Sequence, residues 1–249
     1  MSDTQKPPER RRSILAASLF ALAAEAALLG LGAWQVERLS WKTALIERID
    51  VRSKAPPRPL PPSIVWPEYA AGDHEYERVS VRGTFESDRE ALIYRGSGAV
   101  TGGLSQPGYW VMVPLRLADG ARVLVNRGFI PLDRKDPSTR AGGAADANVE
   151  ITGLVRAGEQ RSYFTPPDNP SKGEWFTRDP LAIAAALKLE RAAPFSIDED
   201  ARVAAAGQPA GAATVIDIPN NHLSYAVTWF GLAATLAGVF AAFVFRRGR

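Results

Sequence analysis

A chain of 249 residues with a formal charge of +3 holds about one domain once its two apolar ends are set aside for a bilayer. It has no cysteine, two histidines and two methionines. This excludes disulfides, thiolate metal centres, iron–sulfur clusters and covalent c-type haem, and argues against a copper carrier. The basic excess sits in the tails, because residues 35–221 carry 23 Lys and Arg against 24 Asp and Glu. The charge therefore reports topology, and no nucleic-acid partner is expected.

The basic tail 1–13 contains Arg10, Arg11 and Arg12, and the apolar run Ile14 to Trp34 that follows is long enough to span a bilayer. It is too long for a signal-peptide core and ends in Trp34 and Gln35 rather than in small residues. Glu25 falls near its centre, where an acid is costly, so it is expected to find a partner or carry a proton. Thr235 is the candidate partner, on a small-residue stripe of Gly231, Thr235, Gly238 and Ala242 in the second span. A subunit of another protein is the alternative. The spacing of Trp34, Arg38, Trp41 and Leu45 predicts that the first helix continues beyond the membrane. It should stop before Ala55 to Pro67, where six prolines stiffen an extended connector.

Between the spans, residues 35–221 read as a mostly antiparallel β (α+β) domain, barrel- or sandwich-like. Its strands are Glu77 to Phe85, Ala91 to Tyr94, Tyr109 to Leu117, Arg122 to Ile130, Glu150 to Arg156 and Thr214 to Ile218. Asp119 and Gly120 predict a hairpin pairing Trp110 to Leu117 with Arg122 to Phe129. Asp133 to Asn148 reads as a mobile loop, and Asp179 with Pro180 opens a short helix over Leu181 to Leu189. Arg127 and Arg161 look like exposed cations that pair with local acids. Tyr163, Phe164, Trp175 and Phe176 are expected to fill the core.

The second span, residues 222–245, ends in the basic tail 246–249. Arginines at both ends place both termini in the cytoplasm and the domain outside. Only a dozen or so residues precede the first span, and they include Asp3 and Glu9. A mitochondrial presequence is therefore not expected and a bacterial inner membrane is favoured, with a periplasmic domain. The segment NNHLSYAVTWF, Asn220 to Phe230, sets a polar cluster at the outer mouth of this helix, and helical spacing puts His222, Tyr225 and Trp229 on one face. An imidazole among aromatic rings suits axial ligation of a haem iron. A plain interfacial belt capped by His222 is the other reading. No catalytic constellation can be assembled around His74 and His222, and an enzyme is not expected.

Taken together, LGAWQVERLSWK (Leu31 to Lys42), the strand VSVRGTF, LVNRGFIP (Leu124 to Pro131), Asn169-Pro170 with Glu174-Trp175-Phe176, and NNHLSYAVTWF carry a resemblance. The chain resembles the Surfeit locus protein one family, membrane-bound assembly factors of haem–copper cytochrome c oxidases, over nearly its whole length. Glu25 and the Ala/Gly-rich stretch Ala141 to Ala147 depart from the family pattern. The resemblance implies maturation of oxidase subunit I, with haem a received from its synthase and held for insertion. On that reading His222 is the iron's axial ligand, Tyr225, Trp229, Trp34 and Arg38 complete the site, and Arg38 or Lys42 meets a propionate. A cofactor-free scaffold for an assembly intermediate is the rival, and a membrane enzyme acting on haem or lipid is a third reading.

Overall fold

The computed structural model describes residues 8–96, 106–140, 148–200 and 220–248. The chain divides into two compact units, one of residues 1–48 with 218–249 and the other of residues 49–217.

The first unit is a pair of helices, α1 (Pro8–Lys54, which runs on into the second unit) and α3 (His222–Gly248). Their segments Leu15–Lys54 and His222–Arg246 are long and apolar enough to cross a membrane. As the aromatic and basic spacing predicts, α1 continues without a break past Trp34 and stops where the prolines begin. The least exposed positions of α3 recur at spacings of four and three: His222, Ala226, Trp229, Ala233, Leu236, Phe240 and Phe243. That repeat is the seam of an antiparallel helix pair. On α1 the matching seam includes Glu25, Gly32 and Gln35. Gly32 lets the helices close up, because a Cβ there would stand 2.7 Å from the Phe230 ring.

The second unit is a β-barrel with outer additions. Its strands are β1 (Arg58–Pro59), β2 (Arg78–Phe85), β3 (Ala91–Arg95), β4 (Gly108–Arg116), β5 (Arg122–Pro131), β6 (Val149–Arg156), β7 (Glu174–Trp175) and β8 (Ala192–Glu199). They lie in the order β1-β2-β6-β8-β5-β4-β3-β7, and β2 also pairs with β4. That last pairing closes β2, β6, β8, β5 and β4 into a ring. On the edge away from β5, β4 serves two partners: Gly108 to Met112 pair with β3, while Leu115 and Arg116 pair with Phe85 and Thr84 of β2. Inward residues of the ring, among them Val79, Val81, Phe85, Leu115, Val123 and Phe195, form the main core. The short helix α2 (Pro180–Ala186) covers the outside of the sheet, where Ile183 and Ala184 pack on Ile93, Met112, Leu124 and Trp175. β5 is therefore buried on both faces, which explains its near-continuous apolar run.

Most predicted strands fall within a residue or two of the observed ones. The hairpin forms with Arg116 opposite Arg122, turned by Gly120 at φ +81° with Asp119 accepting a hydrogen bond from the Ala121 amide. Asp179 caps α2 by accepting from the Ala182 amide, with Pro180 in its first turn. Part of the proline connector is not extended: Ser63–Glu68 winds into a 3₁₀ turn that seats Trp66 in the core. The loop expected over residues 133–148 begins with 3₁₀ turns at Leu132–Arg134 and Pro137–Thr139. Its remainder from 141 to 147 and the strand expected at Thr214 to Ile218 lie outside the described residues. Strand β8 was not legible, and it makes the parallel pairing with β5 within an otherwise antiparallel ring.

Candidate functional site

The mouth of the helix pair is built where α3 begins. Asn221 precedes the helix, its carbonyl accepts from the Tyr225 amide and the Ser224 hydroxyl, and His222 is the first helical residue. Asn220 Nδ2 donates to Thr43 Oγ1 across the pair at 3.5 Å. About two turns back along α1, Gln35 is buried in the seam, with its Oε1 2.7 Å from His222 Nδ1.

His222 and Trp229 lie half-buried on the seam, and Tyr225, one turn on from His222, is 55% exposed. Three and then four residues apart on a continuous helix, the three stand on one side of α3, with Tyr225 at its exposed edge. Trp34 is half exposed on α1, and the Arg38 guanidinium stacks over the Trp41 ring at 4.5 Å. Glu25 Oε2 is buried with no hydrogen-bond partner among the described residues. Thr235 does not supply one: its hydroxyl donates to the Gly231 carbonyl of its own helix. Thr235 and Gly231 are exposed and a Cβ at Gly238 would meet open space, so the small-residue stripe faces away from α1.

Among the described residues no group of three or more His, Cys, Asp or Glu can hold a metal ion. His74, in the barrel unit, stacks on Tyr69 and lies 3.2 Å from Glu77. The donor set at the mouth is one imidazole, hydrogen-bonded to the Gln35 amide. It fits a group that brings its own equatorial ligands, as a tetrapyrrole does, better than a bare ion.

The barrel unit holds the other polar cluster. Asp198 accepts from Asn126 Nδ2 at 3.0 Å, Arg156 Nη1 at 2.9 Å and Arg178 Nη1 at 3.4 Å. Arg178 is completely buried, and its guanidinium and that of Arg95 both stack on Trp110. Burial lowers the Arg178 pKa, an effect that neighbouring Asp198 opposes. Arg127 is buried rather than exposed, 3.0 Å from Glu199 and over the Phe85 ring. Arg161 does pair locally, with Asp168 at 3.0 Å and the Pro166 carbonyl at 2.8 Å. Trp175 is in the core as expected, but Tyr163 and Phe164 are 95% and 89% exposed at the tip of the loop that Arg161 braces. Gln35 is the functional candidate that residue-by-residue reading passed over; its seam spacing from Gly32 is the signal that finds it.

A closed β-barrel flanked in sequence by two membrane-length helices, with an imidazole at the mouth of the helix pair, defines a barrel protein with two candidate membrane spans. The chain belongs to the SURF1 family, whose pattern it matches over residues 22–234. It is 37% identical over 216 residues to Surfeit locus protein 1 of Homo sapiens, which covers 82% of this chain and 70% of that protein. A SURF1-like protein of Monosiga brevicollis is 38% identical over 218 residues, 84% of this chain and 80% of that one. Surfeit locus protein 1 of Takifugu rubripes is 34% identical over 237 residues, covering 90% and 96%.

Proposed function

We propose that this protein is an assembly factor for a haem–copper cytochrome c oxidase that binds haem a and presents it for insertion into subunit I. The observation that carries the reading is the place of His222: the first residue of a membrane-length helix, on the seam, with Trp229 on the same face and a partly exposed Trp34 among the aromatic residues of the mouth. Haem a is hydrophobic and redox-active, so a carrier at the membrane surface keeps it from aggregating until the apo-subunit receives it. His222 ligates the iron, while Trp34, Trp229 and Tyr225 supply ring surface to the macrocycle. Arg38 and Lys42, one and two turns beyond Trp34 on α1, offer cations to the propionates. The protein turns over no substrate of its own, and its partners are oxidase subunit I and the haem a synthase. On this reading both termini lie in the cytoplasm and the barrel in the periplasm of a bacterial inner membrane, an orientation that the arginines outside each span support.

A second reading, a cofactor-free scaffold for an oxidase assembly intermediate, is favoured by one observation. Tyr163 and Phe164 stand bare on a loop stiffened by Arg161 and Asp168, as an exposed docking tip would. The test is the optical spectrum of detergent-purified wild type and His222→Ala from a host that makes haem a. A haem a spectrum in wild type that His222→Ala loses supports the carrier. A colourless wild type from that host turns the assignment to the scaffold.

A further inference from the structure

An imidazole binds iron through a ring nitrogen that carries a lone pair, and a neutral ring has one such nitrogen. The hydrogen on the other nitrogen decides which one it is. In this chain Gln35 Oε1 lies 2.7 Å from His222 Nδ1. Gln35 is buried, on the α1 seam that also carries Gly32, so its amide is held in place by packing as well as by the bond. An amide oxygen only accepts, so a hydrogen bond at this contact requires the ring hydrogen on Nδ1 and leaves the lone pair on Nε2. Nε2 has no hydrogen-bond partner among the described residues.

We propose that Gln35 is the positioning residue of the site: it holds His222 as the Nδ1–H tautomer and so directs the Nε2 lone pair to the haem iron. This deepens, and rests on, the reading of His222 as the ligand. An unconstrained neutral imidazole side chain prefers its hydrogen on Nε2, which would block the atom that must bind. The acceptor on Nδ1 reverses that preference, orients the ring and raises its basicity toward the metal. A low local dielectric at the mouth of two apolar helices strengthens the bond.

The tautomer is read directly by two-bond ¹⁵N–¹H correlations on the full-length, histidine-labelled, haem-free protein in detergent, at a pH where the ring is neutral. The chain has only two histidines, so His222→Ala assigns the signals. Wild type should show the hydrogen on Nδ1. Gln35→Leu should move it to Nε2 and weaken binding of added protohaem by roughly 10- to 100-fold. Gln35→Glu, whose ionised carboxylate accepts at the same place, should keep the Nδ1–H form, recover most of the binding and lower the midpoint potential of the bound probe. A wild-type hydrogen on Nε2 overturns the proposal without any variant. So does a Gln35→Glu protein that binds as weakly as Gln35→Leu while both keep the wild-type tautomer, since Gln35 would then act only through packing. If the tautomers behave as stated but His222→Ala takes up protohaem as wild type does, the ligand reading fails and the role of Gln35 in ligation fails with it.

Discussion

Glu159 shows how a single carboxylate ties this domain to pH. Arg95 donates to its Oε1 at 2.7 Å and the Arg178 backbone amide to its Oε2 at 3.0 Å. Burial alone would push the carboxyl up, but the charges of Arg95 and Arg178 more than offset it and leave it below its ordinary value. A folded-state pKa below the unfolded one contributes stability that is complete above the ordinary carboxylate range. That stability is lost as pH falls through the depressed value. Glu159→Gln should therefore be less stable than wild type at pH 7 and lose less on acidification, so that the two denaturation midpoints converge toward low pH. Urea midpoints followed by tryptophan fluorescence at neutral and stepwise lower pH would show it. Parallel pH profiles for the two proteins would remove Glu159 from the account. Asp198 makes the opposite point about buried charge. It holds Asn126, Arg156 and Arg178 together inside the sheet, so its worth lies in fixing which strands meet and less in net stabilisation.

At the level of elements, a ring of only five strands must coil tightly, and glycines on its strands allow it. A Cβ on Gly153 of β6 would lie 2.3 Å from the Asp198 carbonyl of β8, and one on Gly83 of β2 would lie 2.6 Å from the Arg116 carbonyl of β4. In both cases backbone, not a mobile side-chain end, occupies the space. Gly153→Ala should cost about 1–3 kcal/mol or more by overpacking, whereas Gly158→Ala meets its nearest neighbour at an ordinary 3.4 Å and should be close to neutral. Equal urea midpoints for the two variants would show that the ring has slack. The same tight ring explains what the sequence concealed. β2, β4, β5 and β6 were legible because apolar alternation or continuous burial survives along them. β8 was not, since Pro194, Ser196, Asp198 and Glu199 read as a polar loop. The pairing absorbs the proline at a bulge between Ala192 and Ser196, and partners on β5 and β6 bury the acids. Tyr163 and Phe164 misled in the other direction, because loop bracing by Arg161 and Asp168, and not core packing, fixes them. The start of the second helix at His222 was legible, whereas the contact of His222 with Gln35 was not, because it depends on a helix almost two hundred residues away in sequence.

For the whole molecule the decisive asymmetry is that the basic residues lie outside the two spans, while the region between them is nearly balanced in charge. Lys and Arg resist translocation, so basic tails favour a cytoplasmic position for both ends. The proposed placement of the barrel on the outer face rests on this and has a clean test, since the chain contains no cysteine to give background labelling. Ser171→Cys, on an exposed turn of the barrel unit, should react with a membrane-impermeant maleimide in intact spheroplasts. Gly248→Cys, at the end of α3, should react only after lysis. The reverse pattern would put the barrel and the His222 mouth in the cytoplasm. A carrier in that orientation would meet its haem on the other side of the membrane, so the labelling also decides from which face subunit I must receive it.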